Sequence, residues 1–403
     1  MFIAGISAET ALIQSWTKFS EKQGEGGSQL AKGKKVLITG GAGFVGSHTA
    51  DALLRRNHSV RIYDNLSEQV HAAGPPGYIP RDAEFIRGDM RDLTGLCHAV
   101  RGAEVIYHLA AAVGVGQSMY QIAYYTAVNN QGTANLLQAI LETGSQPEKI
   151  ILASSMSIYG EGKYLCAACG EVAPRPRSLE QLASKKWDTD CPSCGQPAMP
   201  VATDESKPFQ CTSIYALSKK DQEEMVLLFS RTYGMPAVAL RYFNIYGSRQ
   251  SLSNPYTGVA AIFASRLMNG NPPIIFEDGL QIRDFVSVHD VVQANVLAMD
   301  SSAGDGLALN VGSGEPVTLR EVAAELGRAL GVTLPFETTG KYRAGDVRHC
   351  FGDISSISRL LGYRPRVHLK QGIQELVQWL KSQEANDRVE EAMERLSLHG
   401  LVA

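Results

Sequence analysis

Short apolar segments alternate with longer stretches of helical periodicity through the first 240 residues or so. The predicted strands are Lys35–Thr39, Val60–Tyr63, Glu84–Arg87, Val105–Leu109, Ile150–Ala153 and Val238–Tyr242. Helical periodicity covers about 127–143 and 214–232, among other stretches. Strands that alternate with helices are typical of a parallel sheet covered by helices on both faces. The pattern therefore predicts an α/β fold with a doubly wound parallel sheet.

A glycine-rich turn directly follows the first predicted strand. Gly40, Gly43 and Gly46 are spaced three residues apart, and Phe44 and Val45 open a helical stretch. Glycines at these positions allow a tight turn and a close approach of the backbone to a pyrophosphate, which would face the helix N-terminus. The spacing differs from the Gly-x-Gly-x-x-Gly of typical dehydrogenases. The turn still predicts a Rossmann-like dinucleotide-binding unit.

Acidic residues at the ends of the next strands indicate which dinucleotide is bound. Asp64 ends the second strand, where a carboxylate accepts from both ribose hydroxyls and repels a 2′-phosphate, so NAD is expected rather than NADP. Arg61 weakens that preference slightly. Asp89, after the third strand, is interpreted either as an adenine contact or as a helix N-cap. His108, on the fourth strand, is expected to be buried and hydrogen-bonded.

A tyrosine and a lysine four residues apart supply candidate chemistry. Tyr215 and Lys219 would lie on one face of the predicted helix 214–232. A nearby ammonium favours phenolate over phenol, which makes the tyrosine a usable proton acceptor near neutral pH. Such a pair alone is a weak signal. Together with the upstream glycine turn it predicts a nicotinamide-dependent enzyme that interconverts an alcohol and a ketone.

Several motifs together resemble the extended short-chain dehydrogenase/reductase superfamily, in particular its NAD-dependent nucleotide-sugar epimerases and dehydratases. The motifs are Gly40–Gly46, Asp64, His108–Ala111, Asn129-x-x-Gly132-Thr133, Ser155, Tyr215 with Lys219, Arg241–Gly247, Arg283–Asp290 and Arg343–Asp346. The resemblance runs from about Lys35 to about Leu380 and is interrupted by one cysteine-bearing insert.

This resemblance implies the residues of an active site. Ser155 would hydrogen-bond the reacting sugar hydroxyl, Tyr215 would shuttle the proton, and Lys219 would hold the ribose and tune Tyr215. The residues implied to bind NAD are Gly40, Gly43, Phe44, Val45, Gly46, Asp64, Asn65, Asp89, Met90, Leu109, Ala110, Ala111, Asn129, Tyr215 and Lys219. Those implied to bind the nucleotide sugar are Ser155, Asn244, Arg283, Arg343 and Asp346.

The residues after Ser155 bear on the reaction. Related dehydratases and decarboxylases usually carry an acidic residue there, whereas this chain has Met156-Ser157-Ile158. Without that acid, the resemblance implies an isomerase that oxidises C4 transiently and returns the hydride to the opposite face. A UDP-glucose or UDP-glucuronate 4-epimerase, a nucleotide-sugar dehydratase and a non-catalytic NAD-binding regulator remain as alternatives.

A finer resemblance involves the segments Asp64–His71 and Tyr256–Phe263 together with the insert. Their combination is similar to bacterial dTDP-L-rhamnose 4-epimerases, which form dTDP-6-deoxy-L-talose. Cys350 falls where UDP-hexose epimerases place a residue that sets pocket width, or else it simply packs.

Two Cys-x-x-Cys pairs lie inside the insert, which spans about 162–201. Cys166, Cys169, Cys191 and Cys194 could bind one ion, and four thiolates form a closed tetrahedral Zn²⁺ site with a structural role. Iron at a rubredoxin-like site and unligated thiols are the alternatives. The insert is too small to have its own core, so a metal would stabilise it. It would either cap the sugar pocket or extend a dimer contact.

Composition adds further expectations. A net charge of −3 gives no general attraction to nucleic acid or to an anionic membrane, and no apolar run is long enough to span a bilayer. Four of the seven cysteines lie in the two pairs, which fits a reducing cytoplasm better than a disulfide framework. The resemblance implies a homodimer packed through the helices at about 127–143 and 214–232.

The motifs divide the chain into an extension and two domains. Residues 1–33 form an N-terminal extension without the features of a signal peptide. Residues 34–242 form the NAD-binding domain, which contains the insert. Residues 243–403 form the domain that binds the nucleotide sugar, with part of 284–312 returning to the first domain.

Overall fold

The computed structural model describes residues 33–72, 74–256, 258–332, 337–343 and 345–402. The predicted N-terminal extension lies outside these ranges except for Gly33, as do Thr257, Ala344 and Ala403 of the predicted second domain.

The described strands and helices follow the predicted alternation through the first domain. The strands are β1 (Lys35–Thr39), β2 (Ser59–Asp64), β3 (Glu84–Arg87), β4 (Val105–His108), β5 (Lys149–Ser155), β6 (Lys163–Cys166), β7 (Gly170–Val172), β8 (Ala198–Val201), β9 (Ala237–Tyr242), β10 (Asn244–Tyr246), β11 (Ile274–Ile275), β12 (Ile282–Ser287), β13 (Ala308–Val311), β14 (Pro316–Thr318), β15 (Glu337–Thr338) and β16 (His349–Cys350). The helices are α1 (Phe44–Arg55), α2 (Leu93–Val100), α3 (Val115–Ser118), α4 (Ile122–Tyr125), α5 (Gly132–Glu142), α6 (Leu179–Ala183), α7 (Ile214–Tyr233), α8 (Val259–Met268), α9 (Val288–Asp300), α10 (Leu319–Leu330), α11 (Ser355–Leu361), α12 (Leu369–Leu380) and α13 (Val389–Leu398).

A seven-stranded sheet in the order β13-β9-β5-β4-β1-β2-β3 forms the centre of the molecule. Every neighbouring pair in it is parallel. Helices α1, α9 and α11 pack on one face, and α2, α5 and α7 pack on the other. Both faces are buried, which explains why the strands read as continuous apolar runs. The predicted Rossmann-like α/β fold is confirmed.

The helix predicted at about 127–143 begins differently. Thr126–Gln131 is π-helical, and the regular α-helix α5 starts only at Gly132. Short π-helical segments widen a helix by one residue per turn and are frequent at functional sites. Here the widened segment contains Asn129, one of the predicted cofactor residues.

A second, smaller unit lies beyond β9. Strands β10, β12 and β14 pair side by side, and β16 also pairs with β12. Helices α8, α10 and α12 share an apolar core with these strands, centred on Phe263, Leu326 and Leu376. The chain returns to the first unit in between, because β13 pairs with β9 at the edge of the large sheet.

The insert folds as a three-stranded antiparallel sheet in the order β7-β6-β8. Two of its apolar side chains, Leu165 and Met199, are exposed, so it has little core of its own. Among the described residues, no helix combines the length and the apolar character needed to cross a membrane.

Candidate active site

A deep cleft of about 630 Å³ opens where strands of the large sheet end and the second unit begins. In parallel α/β sheets, ligands bind outside the carboxyl ends of the strands. All but one of the residues predicted for catalysis, cofactor and nucleotide sugar line this cleft: Gly40, Gly43, Phe44, Val45, Gly46, Asp64, Asn65, Asp89, Met90, Leu109, Ala110, Ala111, Ser155, Tyr215, Lys219, Asn244, Arg283, Arg343 and Asp346. The structure thus brings them together, while their individual roles stay predictions.

The glycine turn has the geometry of an anion cradle. Gly40 has φ +72°, and a Cβ atom there would lie 2.7 Å from the backbone nitrogen of Ala110. A Cβ atom on Gly46 would lie 2.2 Å from the carbonyl oxygen of Gly40, so side chains are excluded at both positions. Helix α1 begins with no side-chain cap and no acidic residue in its first turn. Its free N–H groups are available to a phosphate.

Asp64 links the glycine turn to the end of β2. One carboxylate oxygen accepts from the backbone N–H of Ala42 at 3.0 Å, and the other accepts from that of Leu66 at 2.9 Å. The carboxylate is therefore fixed at the cleft with further lone pairs available to ribose hydroxyls. Arg61 is absent from the cleft lining, because it donates to Glu84 and to the carbonyl oxygens of Ala99 and Arg101 at the C-terminal end of helix α2.

Asp89 lies at the cleft and does not cap a helix. Its carboxylate accepts from Asn65 at 2.9 Å and from the guanidinium of Arg91 at 2.8 Å. Hydrogen bonds from Arg91 hold the pKa of Asp89 well below its ordinary value. The residue that precedes helix α2 is Asp92, so the N-cap interpretation of Asp89 is wrong.

Asn129 is the one predicted cofactor residue that does not line the cleft. It is fully buried, and its side chain exchanges hydrogen bonds with both backbone groups of Ala112 at 2.8 and 3.1 Å and donates to Ser218 at 2.9 Å. The amide is thus satisfied within the protein, and it fixes the loop after β4 that lines the cleft. Its direct role is to position that loop.

The candidate catalytic residues meet at the end of β5 and the first turns of α7. Ser155 accepts from the backbone N–H of Ser157 at 3.2 Å and starts a short 3₁₀ helix. Burial raises the pKa of the Tyr215 phenol above its ordinary value, and hydrogen bonding with Ser155 acts in the opposite direction. Burial also lowers the pKa of Lys219 to about 7. Ser155 therefore favours the Tyr215 phenolate, and the tuning of Tyr215 by Lys219 stays a prediction.

His108 is buried and hydrogen-bonded, as predicted. One ring nitrogen lies 2.8 Å from the hydroxyl of Thr39, and the other lies 2.9 Å from that of Thr133. Burial lowers its pKa to about 3, so the imidazole is neutral. This chain of polar contacts joins β1 and β4 to α5 beneath the cleft floor.

Apart from Ser155 on β5, the residues predicted for the nucleotide sugar come from three segments of the second unit. The side-chain oxygen of Asn244 is buried without a hydrogen-bond partner, which suits a group that awaits a ligand. Arg343 donates to Asp346 at 2.9 Å and stacks over the ring of Phe276 at 4.7 Å. Arg283 also lies within 3.6 Å of Asp346, but its terminal nitrogens already donate to backbone carbonyls at 282, 347 and 348.

No unpaired carboxylate borders the sugar side of the cleft in the described part of the chain. The acids in the lining are Asp64 and Asp89 at the glycine-turn end and Asp346, which is paired with Arg343. Cys350 is absent from the lining and is buried among Ile158, Tyr159 and Phe243. Packing is therefore its role, and it does not set the width of the pocket.

Part of the cleft is built by residues that carry no recognisable sequence signal. The C-terminal helix α13 contributes Met393 and Leu396, and Leu401 follows. The backbone of Val402 pairs with that of Arg343, so the segment crosses from one side of the cleft to the other. Its amphipathic sequence predicts a helix with one apolar face but not the surface that this face covers.

The four cysteines of the insert form one cluster. Their sulfur atoms all lie within 4.8 Å of one another, and those of Cys166 and Cys194 are 3.5 Å apart. Four thiolates around Zn²⁺, each about 2.3 Å from the metal, require comparable separations. The donor set fits a metal ion of this type, which would bind at the tip of the three-stranded sheet.

Comparison with known proteins identifies the family. The NAD dependent epimerase/dehydratase family matches residues 36–312, which is more than half of the chain. The chain belongs to this family. A dTDP-L-rhamnose 4-epimerase from Burkholderia thailandensis is 36% identical over 88% of this chain and 96% of its own length. A UDP-glucose 4-epimerase from Thermotoga maritima, solved with UDP-glucose, is 30% identical with a TM-score of 0.70 and covers 86% of this chain and 98% of its own.

A further solved member of the family contains both ligand types. The UDP-glucuronic acid 4-epimerase from Bacillus cereus, solved with UDP-glucuronic acid and NAD, is 27% identical with a TM-score of 0.70 and covers 86% of this chain and 99% of its own. These relatives are 4-epimerases, which are isomerases, in agreement with the expected enzyme class. NAD is the cofactor of the epimerase/dehydratase family, and the glycine turn, Asp64 and the open N-terminus of α1 fit it.

Proposed function

We propose that this protein is an NAD-dependent nucleotide-sugar 4-epimerase that interconverts dTDP-L-rhamnose and dTDP-6-deoxy-L-talose. The observation that carries the proposal is that Ser155, Tyr215 and Lys219 line the same cleft as the glycine turn, with no free carboxylate among the lining residues beside them. A proton acceptor without an additional acid or base suits a reversible redox step at one carbon, whereas elimination of water needs both.

Tyr215 and Ser155 have defined tasks in this reaction. Tyr215 takes the proton of the C4 hydroxyl, and Ser155 holds the same oxygen. NAD supplies a reversible hydride acceptor. Asn244 and Arg343 hold the diphosphate while the 4-keto sugar turns its other face toward the cofactor, and Tyr215 then returns the proton. The redox balance is closed, so no net NADH accumulates.

Two observations support the rhamnose nucleotide. The relative from Burkholderia thailandensis carries that activity in its name. In addition, both segments of the finer resemblance line the cleft, through residues such as Gln69 of the first and Tyr256 and Phe263 of the second. The UDP-glucose and UDP-glucuronate epimerases of similar structure make UDP-hexoses the second candidate.

An assay with each sugar nucleotide tests the assignment. Purified protein is incubated separately with dTDP-L-rhamnose, UDP-glucose and UDP-glucuronate, and the anomeric and C4 protons of the products are followed by NMR. We expect the C4 epimer from dTDP-L-rhamnose and a constant absorbance at 340 nm. Epimer from a UDP-hexose alone would replace the substrate, a stable 4-keto-6-deoxy product would indicate a dehydratase, and no turnover of any sugar would favour a regulator.

The structure also supports two proposals about assembly. Four clustered cysteines support a structural Zn²⁺ ion, which native mass spectrometry would detect as about one ion per chain. Leu217 and Leu228, eleven residues apart, lie on one face of α7 and are exposed, as is Leu141 on α5. Exposed apolar residues in such a pattern suit helix packing in a homodimer, which light scattering in solution would measure.

A further inference from the structure

A buried group of charged residues joins the insert to the second unit. Arg177 of the insert forms a two-pronged ion pair with Glu277, with nitrogen–oxygen distances of 2.8 and 2.9 Å. Arg348 approaches the same carboxylate at 3.1 Å. The side chains of Arg177 and Glu277 are each 1% exposed and that of Arg348 is 2% exposed. Arg177, a fully buried charged residue of the insert, therefore lies against the second unit. It contacts the segment between β11 and β12, next to the residue that precedes β16.

The same group fixes the backbone of the loop that carries Asp346. Arg177 also donates to the carbonyl oxygen of Asp346 at 3.0 Å. Glu161, which directly precedes the insert, accepts from the backbone N–H groups of Arg348 at 2.7 Å and His349 at 3.2 Å. The loop is thus held from behind at Asp346, Arg348 and His349. The side chain of Asp346 faces the cleft and pairs with Arg343.

Burying the ion pair of Arg177 with Glu277 costs free energy, which indicates that the pair serves to fix the geometry of the loop. Removing a charge from water costs several kcal/mol, and apolar residues of similar size often stabilise a fold as well as a buried ion pair does. What a two-pronged arginine adds is a fixed geometry. The insert could be anchored by apolar contacts alone, yet it reaches the loop through Arg177. Arg175, two residues earlier, is exposed, so the burial of Arg177 is specific to that position and not common to the arginines of this segment.

We propose that Arg177 is a positioning residue for the nucleotide sugar: it holds the loop of Asp346 so that Asp346 and Arg343 present a fixed surface to the diphosphate. The insert then acts on substrate affinity from behind the cleft wall, without contacting the substrate. This role rests on the proposed function, because it assumes that the cleft binds a nucleoside diphosphate.

Binding of the nucleotide portion tests this role separately from turnover. Calorimetry on the NAD-saturated, full-length protein compares the affinity for dTDP and UDP in the wild type, Arg177→Lys, Arg177→Met and the matched control Arg175→Met. We expect Arg177→Met to lower the affinity for the preferred nucleotide by about tenfold or more. Arg177→Lys should lose less affinity than Arg177→Met, and Arg175→Met should bind the nucleotide as the wild type does. In turnover, KM should rise more than kcat falls.

Hydrogen exchange at residues 345–350 provides the second measurement. In Arg177→Lys, loss of the two-pronged contact should speed exchange of the backbone N–H groups of Arg348 and His349. This variant keeps the buried positive charge, so it decides the test if Arg177→Met does not fold. Wild-type affinity and unchanged exchange in Arg177→Lys would overturn the proposal. If the wild type binds neither dTDP nor UDP, the proposed function fails, and the exchange rates alone show whether Arg177 orders the loop.

Discussion

The side-chain nitrogen of Lys219 lies 2.8 Å from the carbonyl oxygen of Ala153, at the end of β5 and inside the cleft wall. Lys219 is buried there, and burial lowers its pKa to about 7. At neutral pH the amine is therefore only partly charged. Protonation of Lys219 is therefore sensitive to pH changes near neutrality.

The pH dependence of stability should reveal this buried amine. Between pH 7 and about 10.5 the unfolded chain holds a proton on Lys219 that the folded chain lacks, so the free energy of unfolding should rise with pH by about 1.4 kcal/mol per unit at most. Below pH 7 the penalty is complete. Urea unfolding of wild type and Lys219→Met at several pH values isolates the contribution of Lys219 to the free energy of unfolding. Lys220→Met, which removes an ion pair with Glu224 on the same helix, is the control. Parallel curves for wild type and Lys219→Met would contradict it.

Replacing Tyr215 by Phe should remove the proton shuttle and leave the cleft intact. We expect epimerase activity to fall by about 10²–10⁴-fold, because general acid–base catalysis contributes that much, while NAD binding changes little. The initial rate of C4 epimer formation measures the loss. Tyr233→Phe, at the exposed end of the same helix, should behave like the wild type. Activity retained in Tyr215→Phe would assign proton transfer to another group.

The pH–rate profile should change when Ser155 is replaced by Ala. Hydrogen bonding with Ser155 lowers the pKa of Tyr215, so its loss should move the rising limb of kcat/KM to higher pH and lower the rate at pH 7. A profile recorded from pH 6 to 10 checks this. Ser157→Ala, which removes only a donor to Ser155, should shift the limb less. A limb that stays in place would show that Ser155 binds substrate without tuning Tyr215.

Cofactor selection should depend on the charge of Asp64. In Asp64→Asn the repulsion of a 2′-phosphate is lost and one of the carboxylate oxygens is replaced by an amide nitrogen. We expect NAD to bind about tenfold more weakly and the preference for NAD over NADP to shrink, as measured by fluorescence titration. Asp82→Asn, an exposed acid in the following loop, serves as the control. An unchanged preference would remove Asp64 from the ribose site.

A single sulfur substitution should empty the metal cluster. Cys169→Ser leaves three thiolates, which no longer complete a closed tetrahedral site, so bound metal should fall from about one ion per chain towards zero. Thermal unfolding should then occur at lower temperature, since the insert has little core to replace the metal. Cys97→Ser, outside the cluster, should change neither value. Equal metal content in Cys169→Ser and wild type would disprove the assigned ligand set.

The sequence predicted those parts of the protein that are determined by residues close together along the chain. The strands, the glycine turn and the position of Asp64 follow from periodicity and from the backbone freedom of glycine, and the structure has them within a few residues. Asn129 looked like a ligand residue because it belongs to a family motif. Its full set of hydrogen bonds to Ala112 and Ser218 depends on a loop and a helix distant in sequence.

Long-range contacts explain what the sequence could not show. Arg177 is one of several charged residues in a proline-rich insert, and only the folded chain brings Glu277 and the carbonyl of Asp346 to it, about 100 and 169 positions later. Helix α13 has an ordinary amphipathic pattern, and the segment before it is joined to α8 by the buried ion pair of Arg266 with Asp387, a contact between residues 121 positions apart.

The pairing of Val402 with Arg343 has a practical consequence for anyone who expresses this enzyme. A purification handle or a fluorescent reporter fused after residue 402 would leave the protein beside Arg343, which we propose to hold the diphosphate. Such a fusion would crowd this side of the cleft. Handles are better placed ahead of Gly33, where β1 starts on the opposite edge of the sheet from the carboxyl ends that border the cleft.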